Sequence, residues 1–404
     1  MRRDRSTAGR PLRVLLVCGR LDPQRDGVGD YVVRLADALG AQGAVVRIVH
    51  VGPPASVAGA RSVGAGWGPG ALLRAARAAR GADVVHVQFA PSMYGFRIGV
   101  GALPLLIRRP PLVTTLHEYG WWRWEPVLPA ALWRRLERRG VADRETALLV
   151  PRSRAVVTTN AGHGAAVEER FAGRSVAEAI PIGANVVVEP GIDRAAARRE
   201  VRAQLGAAPD AVVAAFFGFV HPVKGVRYLA DAVARLAAEG RDVHALVVGG
   251  FESLALPGEE AVDFEAELRS LIDDAGVAER VHVTGFRGAA EVSRLLAAAD
   301  LGVLPFTHGV TAKSGSLLTL LAHGLPTVVT EGEEPEPELV DGDRVVVVRR
   351  VRDGDAVADG VRRVLDDPAS AGGIAERGRD WAEQRGWPAI GARHLAVYER
   401  VVRG

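Results

Sequence analysis

Three short segments carry glycine, two of them with a lysine and one with hydroxyl side chains as well, in a way suited to holding an anion. In Leu21–Asp30 (LDPQRDGVGD), Gly27 and Gly29 let the backbone approach a ligand, and the helix expected after them offers free N–H groups. An ordinary glycine-rich turn explains this segment equally well. It is not the dinucleotide fingerprint, because Val32 stands where the third glycine would fall. In Phe216–Gly225 (FFGFVHPVKG), Lys224 is a rare lysine in an arginine-dominated chain and a compact point charge for a phosphate. A solvated helix-start lysine is the plain alternative. Pro305–Pro326 (PFTHGVTAKSGSLLTLLAHGLP) is the most specific of the three. Ser314, Gly315 and Ser316 open a helix with apolar Leu317, Leu318, Leu321 and Ala322, and Gly324 and Pro326 stop it. The N–H groups and hydroxyls from Ser314 to Leu317 suit a diphosphate or a sugar hydroxyl, and they cap the helix in either case.

His117 and Glu118 close an apolar strand, where a doubly wound fold places its ligands. His86 lies inside another strand and reads as core or support. His163 and His221 sit in loops. No histidine pair stands at ligand spacing with cysteine or carboxylate partners, so no metal site is expected.

These residues need strands to carry them. Leu12–Cys18, Val45–Val51, Asp83–Phe89, Val113–His117, Ala155–Thr159 and Ala179–Ile182 read as strands, with helices over Tyr31–Leu39 and Leu72–Arg80. After the Ala/Arg-rich Asp193–Leu205, a second series begins. Its strands are Ala211–Phe217, Val243–Val248, Val281–Thr284, Leu301–Pro305, Thr327–Thr330 and Arg344–Val348. Helices over Gly225–Glu239, Phe264–Ala275, Ala289–Ala299 and Leu317–His323 alternate with them, and a helix over Trp387–Val402 ends the chain. Such alternation implies parallel sheets with right-handed crossovers. The expected class is α/β: two doubly wound Rossmann-like domains facing a central cleft. The boundaries are a disordered lead-in over 1–10, a first domain over 11–190 with a returning helix over 388–404, and a second over 191–387.

Composition agrees. A chain of 404 residues, 48% hydrophobic and 25% charged, suits two soluble domains. A single cysteine, Cys18, excludes an intramolecular disulfide framework and fits a reducing cytoplasm. The net charge of +3 gives no footprint for nucleic acid, and no apolar run is long enough to span a membrane.

Taken in order and spacing, these motifs resemble the retaining GT-B glycosyltransferases of family 4 (group 1) from about Leu12 to Tyr398. The matching pieces include the loop with Gly27 and Gly29, DVVHVQF, TLHEYG at 114–120, AVVTTN at 155–160 and IPIGAN at 180–185. FGFVHPVKG at 217–225, VHVTGF at 281–286, AADLGVLPF at 298–306 and LLAHGLPTVVT at 320–330 complete them. The resemblance implies a nucleotide-diphosphate sugar as co-substrate and no other cofactor. It implies that Gly27, Gly29 and Lys224 contact the diphosphate. It implies that Ser314, Gly315, Ser316 and Leu317 hold phosphate and sugar, and that Gly285, Phe286 and Arg287 face the base. His117 matches a first-domain histidine near the transferred sugar, so His117 and Lys224 are the expected catalytic pair.

Three departures stand out. The usual glutamate pair is replaced by Thr311 and Thr319, and a usual arginine by Phe219. Threonine still hydrogen-bonds but carries no charge, and Lys313 offers a substitute cation. Thr319 is read as facing the donor, so a glutamate there is expected to be tolerated. The implied reaction is front-face transfer with retention and without metal. Charge on the leaving diphosphate would be absorbed by Lys224 and the N–H clusters, and domain closure near Glu189 would exclude water.

The acceptor side is expected around Glu118, Tyr119, Trp121, Trp122 and Trp124. Tyr119–Gly140 holds four of the seven tryptophans, with arginines interleaved. This pattern fits an acceptor wall, core packing, or peripheral contact with an anionic membrane surface at the inner face. The acceptor is a small molecule, a lipid-linked molecule or a glycan. A silent sugar-nucleotide-binding protein and a sugar-nucleotide epimerase are the rival functions. The missing fingerprint disfavours a nicotinamide oxidoreductase.

Overall fold

The computed structural model describes residues 10–122, 129–171, 178–251, 256 and 258–404. The expected lead-in therefore lies outside the described residues except for Arg10. The chain divides into two compact units, Met1–Ile182 with Trp387–Gly404, and Gly183–Gly386.

The first unit runs β1 (Arg13–Arg20), α1 (Gly27–Ala41), β2 (Val45–Val51), β3 (Ala60–Ser62), α2 (Pro69–Ala78), β4 (Val84–Phe89) and β5 (Leu112–Leu116). It continues with α3 (Ala130–Arg138), α4 (Leu149–Arg152), β6 (Ala155–Thr158), α5 (Ala161–Arg170) and β7 (Glu178–Ala179). Its strands form one parallel sheet in the order β3-β2-β1-β4-β5-β6-β7. β4 is buried along its whole length, as a parallel strand covered on both faces must be. Helix α1 starts four residues before the periodicity predicts. Asp26 caps it, its carboxylate accepting from Gly29 N at 2.7 Å.

The second unit runs α6 (Arg194–Gln204), β8 (Val212–Phe217), α7 (Val226–Ala238), β9 (Val243–Val248), α8 (Glu259–Asp274), β10 (Val281–Val283) and α9 (Ala289–Ala298). Then come β11 (Leu301–Leu304), α10 (Gly315–Ala322), β12 (Thr327–Thr330), β13 (Val346–Val348), α11 (Gly354–Asp366) and α12 (Pro368–Glu383). The parallel order is β10-β9-β8-β11-β12-β13.

The unit boundary falls after Ile182, earlier than expected, because the next residues are fastened to the second unit. Val186 N donates to Thr319 Oγ1 at 3.2 Å, and Glu189 N donates to Ser293 Oγ at 2.9 Å. The last helix, α13 (Trp387–Arg403), belongs to the first unit, as its apolar face requires. It buries Trp387, Ile390, Val397 and Tyr398, each contributing roughly 1.5–3 kcal/mol. Gly391 lets it lie close on α1, for a Cβ there would stand 3.2 Å from Ala38 O.

Candidate active site

In the second unit β8 and β11 are neighbours in the sheet although distant in sequence. Loops leaving their carboxyl ends run beside each other at this switch point, where open α/β sheets bind ligands. The loop after β8 makes a short 3-10 turn, Pro222–Lys224, and closes on Gly225 at φ +67°. A Cβ on Gly225 would stand 1.9 Å from Pro305 O, so glycine is what lets the two loops touch. Thr307 N donates to Val223 O at 2.9 Å and fastens them.

The turn places Lys224 Nζ 3.7 Å from the centroid of the Phe306 ring. Among the described residues no charge enters its balance, and burial alone pulls its pKa down to about 8. A half-buried ammonium with an aromatic face and no counter-ion is prepared for an anion.

Helix α10 opens at the end of the loop that leaves β11. Ser314 caps the helix, its Oγ accepting from Leu317 N at 3.3 Å. The N–H groups of Gly315 and Ser316 keep no protein partner among the described residues. Ser316 Oγ packs over Gly218, 2.7 Å from where a Cβ would be. Gly315 lies under the Asn185 side chain. Gly218, Asn185 and Phe306 lie inside the matching motifs at 217–225, 180–185 and 298–306, without a role of their own in the sequence reading. Gly218 directly follows a strand, which is the signal that could have found it.

The three residues expected to face the base lie at the end of β10. Gly285 bridges to Gly249, and Phe286 is 56% exposed. Arg287 is already paired, its Nε lying 3.2 Å from Glu291 Oε1. Thr311 and Lys313 are exposed on the loop before α10, which Glu336 steadies by accepting from Ala312 N at 3.0 Å. Two expectations need correcting. Thr319 is fully buried, and its hydroxyl donates to Gly315 O at 2.8 Å while accepting from Val186 N. It braces α10 and offers a ligand nothing. Leu317 is buried as well, and its N–H is taken by the Ser314 cap.

In the first unit, Gly27 is exposed and Gly29 buried in the first turn of α1 rather than in a loop. The Gly29 N–H is occupied by the Asp26 carboxylate. Burial pushes that carboxyl up to about 6, against the bonds from Gly29 and Val28 and with repulsion from Glu118 and Asp22. The empty anion cradle expected at Gly29 is therefore filled by the protein's own carboxylate.

His117 follows β5 and is buried. Its Nε2 lies 2.8 Å from Gln88 Oε1, and the Tyr31 ring meets it edge-on at 4.6 Å between centroids. Glu118 accepts from Ser92 Oγ at 3.2 Å.

Tyr119 is not an acceptor wall. It is buried, its hydroxyl donates to Asp143 Oδ1 at 2.9 Å, and the Arg170 guanidinium covers its ring at 4.6 Å. Arg170 also pairs with buried Glu145 at 2.6 Å. Burial lifts the Glu145 carboxyl to about 7, with Arg170 opposing. Glu145 accepts from Gly120 N at 3.1 Å, so this cluster fixes the loop carrying His117 and Glu118.

The tryptophans divide. Trp133 packs in the interior, whereas Trp121 is 62% exposed. Trp121 and Trp122 gather round Phe96, at 6.3 and 6.1 Å between ring centroids. Phe96 is 50% exposed and holds φ +56°, a strained backbone for a bulky residue. Nothing in the sequence marked it. Trp124 lies outside the described residues.

Two Rossmann-like parallel-sheet units with these residues at their strand ends define a GT-B glycosyltransferase fold. The Anabaena protein HepE in complex with UDP and glucose matches that fold with a TM-score of 0.70, covering 96% of this chain and 100% of its own at 17% identity. Residues 25–188 match Glycosyltransferase Family 4, and residues 211–367 match Glycosyl transferases group 1. The chain belongs to this family of glycosyltransferases. The D-inositol 3-phosphate glycosyltransferase 1 of Catenulispora acidiphila is 28% identical over 406 residues, spanning 92% of this chain and 84% of the relative. The 2-deoxystreptamine glucosyltransferase of Streptomyces kanamyceticus is 31% identical over 199 residues, 47% of this chain and 46% of the relative. The chain thus matches just under half the length of that relative.

Proposed function

We propose that the protein transfers a sugar from a nucleotide-diphosphate sugar to a ring-bearing polyol, with retention. The observation that carries this is Lys224: a half-buried ammonium with no counter-ion among the described residues, on the loop after β8 whose Gly218 packs against Ser316 at the start of α10, where the N–H groups of Gly315 and Ser316 have no partner among the described residues. Breaking the sugar–phosphate bond moves negative charge onto the leaving diphosphate. Lys224 and the two N–H groups absorb it as fixed positive groups, and Lys313 adds a mobile cation, so the proposed route runs on the protein's own charges without a metal. Phe286 supplies an exposed face for the base. His117 attends the transferred sugar, as the family resemblance implies.

Two observations favour a ring-bearing polyol as acceptor. Relatives are named for D-inositol 3-phosphate and 2-deoxystreptamine. The exposed corner of Phe96, Trp121 and Trp122 suits stacking on a ring. A second reading has its own observation. Arg134, Arg135, Arg138 and Arg139 are all exposed on or just after α3, and Leu132 is exposed with them, which favours peripheral contact with an anionic bilayer at the cytoplasmic face.

The test is saturation-transfer NMR against UDP-, GDP-, ADP- and dTDP-sugars, followed over hours with inositol and aminocyclitol acceptors. Binding of one nucleotide with an α-linked product from an α-linked donor supports the proposal. An inverted product removes retention. Binding without turnover indicates a silent binding protein, and a changed donor sugar an epimerase. A lipid-linked or glycan acceptor replaces the polyol if only that is glycosylated. Sedimentation with anionic but not neutral vesicles supports the bilayer contact.

A further inference from the structure

We propose that Gln88 is a positioning residue for His117, setting the tautomer and ring plane of the imidazole from a buried hydrogen-bonded chain anchored on α13. The proposal deepens the transferase reading above and rests on it only for the effect on turnover.

A strand of a covered parallel sheet is expected to be apolar on both faces. β4 is not. His86 and Gln88, two residues apart and so on one face, are both fully buried. Buried polar groups are costly unless every one is bonded, and these are. His86 Nε2 lies 2.7 Å from Thr115 Oγ1 on the adjacent β5. His86 Nδ1 lies 2.6 Å from the Tyr398 hydroxyl on α13. Burial holds His86 well below the usual histidine range, so it is neutral. The Gln88 amide stands between the two histidines. Its Nε2 lies 3.1 Å from the His86 ring nitrogens, and its Oε1 lies 2.8 Å from His117 Nε2.

The direction of these bonds has a consequence for His117. A carbonyl oxygen only accepts, so the proton between Gln88 and His117 belongs to His117 Nε2. In the neutral form of the ring, Nδ1 then carries the lone pair. Tyr31 holds the ring from its edge, and His117 N donates to Phe89 O at 2.8 Å, fixing the backbone beneath it. The far end of the chain is equally rigid. Tyr398 is fully buried, and α13 is locked to α1 through Gln42 Nε2, which donates to Pro388 O at 2.8 Å. An imidazole that must meet a sugar within a few tenths of an ångström gains its orientation from these neighbours.

The test uses the full chain with histidine-selective ¹⁵N labelling. In the wild type we expect His117 as a single Nε2–H tautomer with a slowly exchanging N–H resonance. Gln88→Met, nearly isosteric, should lose that resonance to exchange. With UDP-glucose, or whichever nucleotide sugar the screen selects, Gln88→Met should lower kcat about 10- to 100-fold while the donor KM stays within about twofold. Gln88→Glu, which returns an acceptor oxygen, should recover part of the loss. A purely structural role would change stability without this split or rescue. If Gln88→Met does not fold, Tyr398→Phe loosens the same chain from its far end and should lower kcat about threefold. An Nδ1–H tautomer in the wild type overturns the clamp. Wild-type kcat in Gln88→Met, or in Tyr398→Phe if that variant has to stand in, overturns its part in the reaction. If the wild type turns over no nucleotide sugar, the transferase reading fails, and the tautomer alone decides the clamp.

Discussion

Replacing Lys224 by methionine keeps an unbranched stem over Phe306 and removes only the charge. In the folded protein the ammonium sits at about 8 instead of 10.5, purely through burial. That difference corresponds to about 3 kcal/mol of solvation given up on folding. The folded pKa lies below the unfolded one, so the unfolded chain holds the extra proton between pH 8 and 10.5. Wild-type stability therefore rises with pH across that window and bears the full cost below it. Lys224→Met should be more stable than wild type at pH 7, by up to about 3 kcal/mol, with the gap closing by about pH 10.5. Its kcat/KM for the donor should fall about 10²- to 10³-fold, the usual cost of losing one preorganised group at a leaving oxyanion. Wild-type kcat/KM should itself decline above pH about 8, as Lys224 loses its proton. Denaturant melts from pH 6.5 to 10.5 and initial rates at subsaturating donor measure both. Wild-type kcat/KM in the variant, or a variant less stable at pH 7 with a pH-independent gap, would refute the reasoning.

Thr319→Glu should unfold the second unit or cost at least 3 kcal/mol in urea melts, because a carboxylate would enter a fully buried site. Thr319→Val should cost only about 1–2 kcal/mol. Phe96→Gly should raise Tm by a few degrees by releasing about 1 kcal/mol of backbone strain, while raising the acceptor KM and leaving nucleotide affinity unchanged in titration calorimetry. Gly225→Ala should abolish nucleotide binding with the α-helical circular dichroism largely kept, because its Cβ would strike Pro305 O and displace Lys224.

Strands were the most legible part of the chain. Fully covered parallel strands read as unbroken β-branched runs, and β4 and β9 are buried end to end. The reading also put Lys224 in the turn after β8 and Ser314 at the opening of α10, and the structure has them there. Where the reading missed, the cause was three-dimensional. Thr319 looks like a polar residue on an amphipathic helix, and only the approach of Val186 shows that its hydroxyl is spent. Tyr119 shares a loop with His117, but buried Asp143 and half-buried Arg170 draw its ring inward. Gly29 marked an anion site, yet the capping residue three positions earlier is itself an anion. The domain boundary was placed late because a composition shift near Asp193 is visible in sequence, whereas the hydrogen bonds fastening Val186 and Glu189 to the second unit are not. The helices α11 and α12 carry no motif and were passed over.

The affiliation of α13 has a consequence for how the protein is made. Its residues 387–403 complete the core of the first unit, yet the ribosome produces them only after all of Gly183–Gly386. The nascent first unit must wait with the bed for Trp387, Ile390 and Tyr398 open to water. The second unit, contiguous in sequence, can finish folding before it. The first unit can therefore be completed only after the whole second unit has been made, and a chain stalled or clipped before Trp387 would present an unfinished apolar face to chaperones and proteases, however sound its second unit.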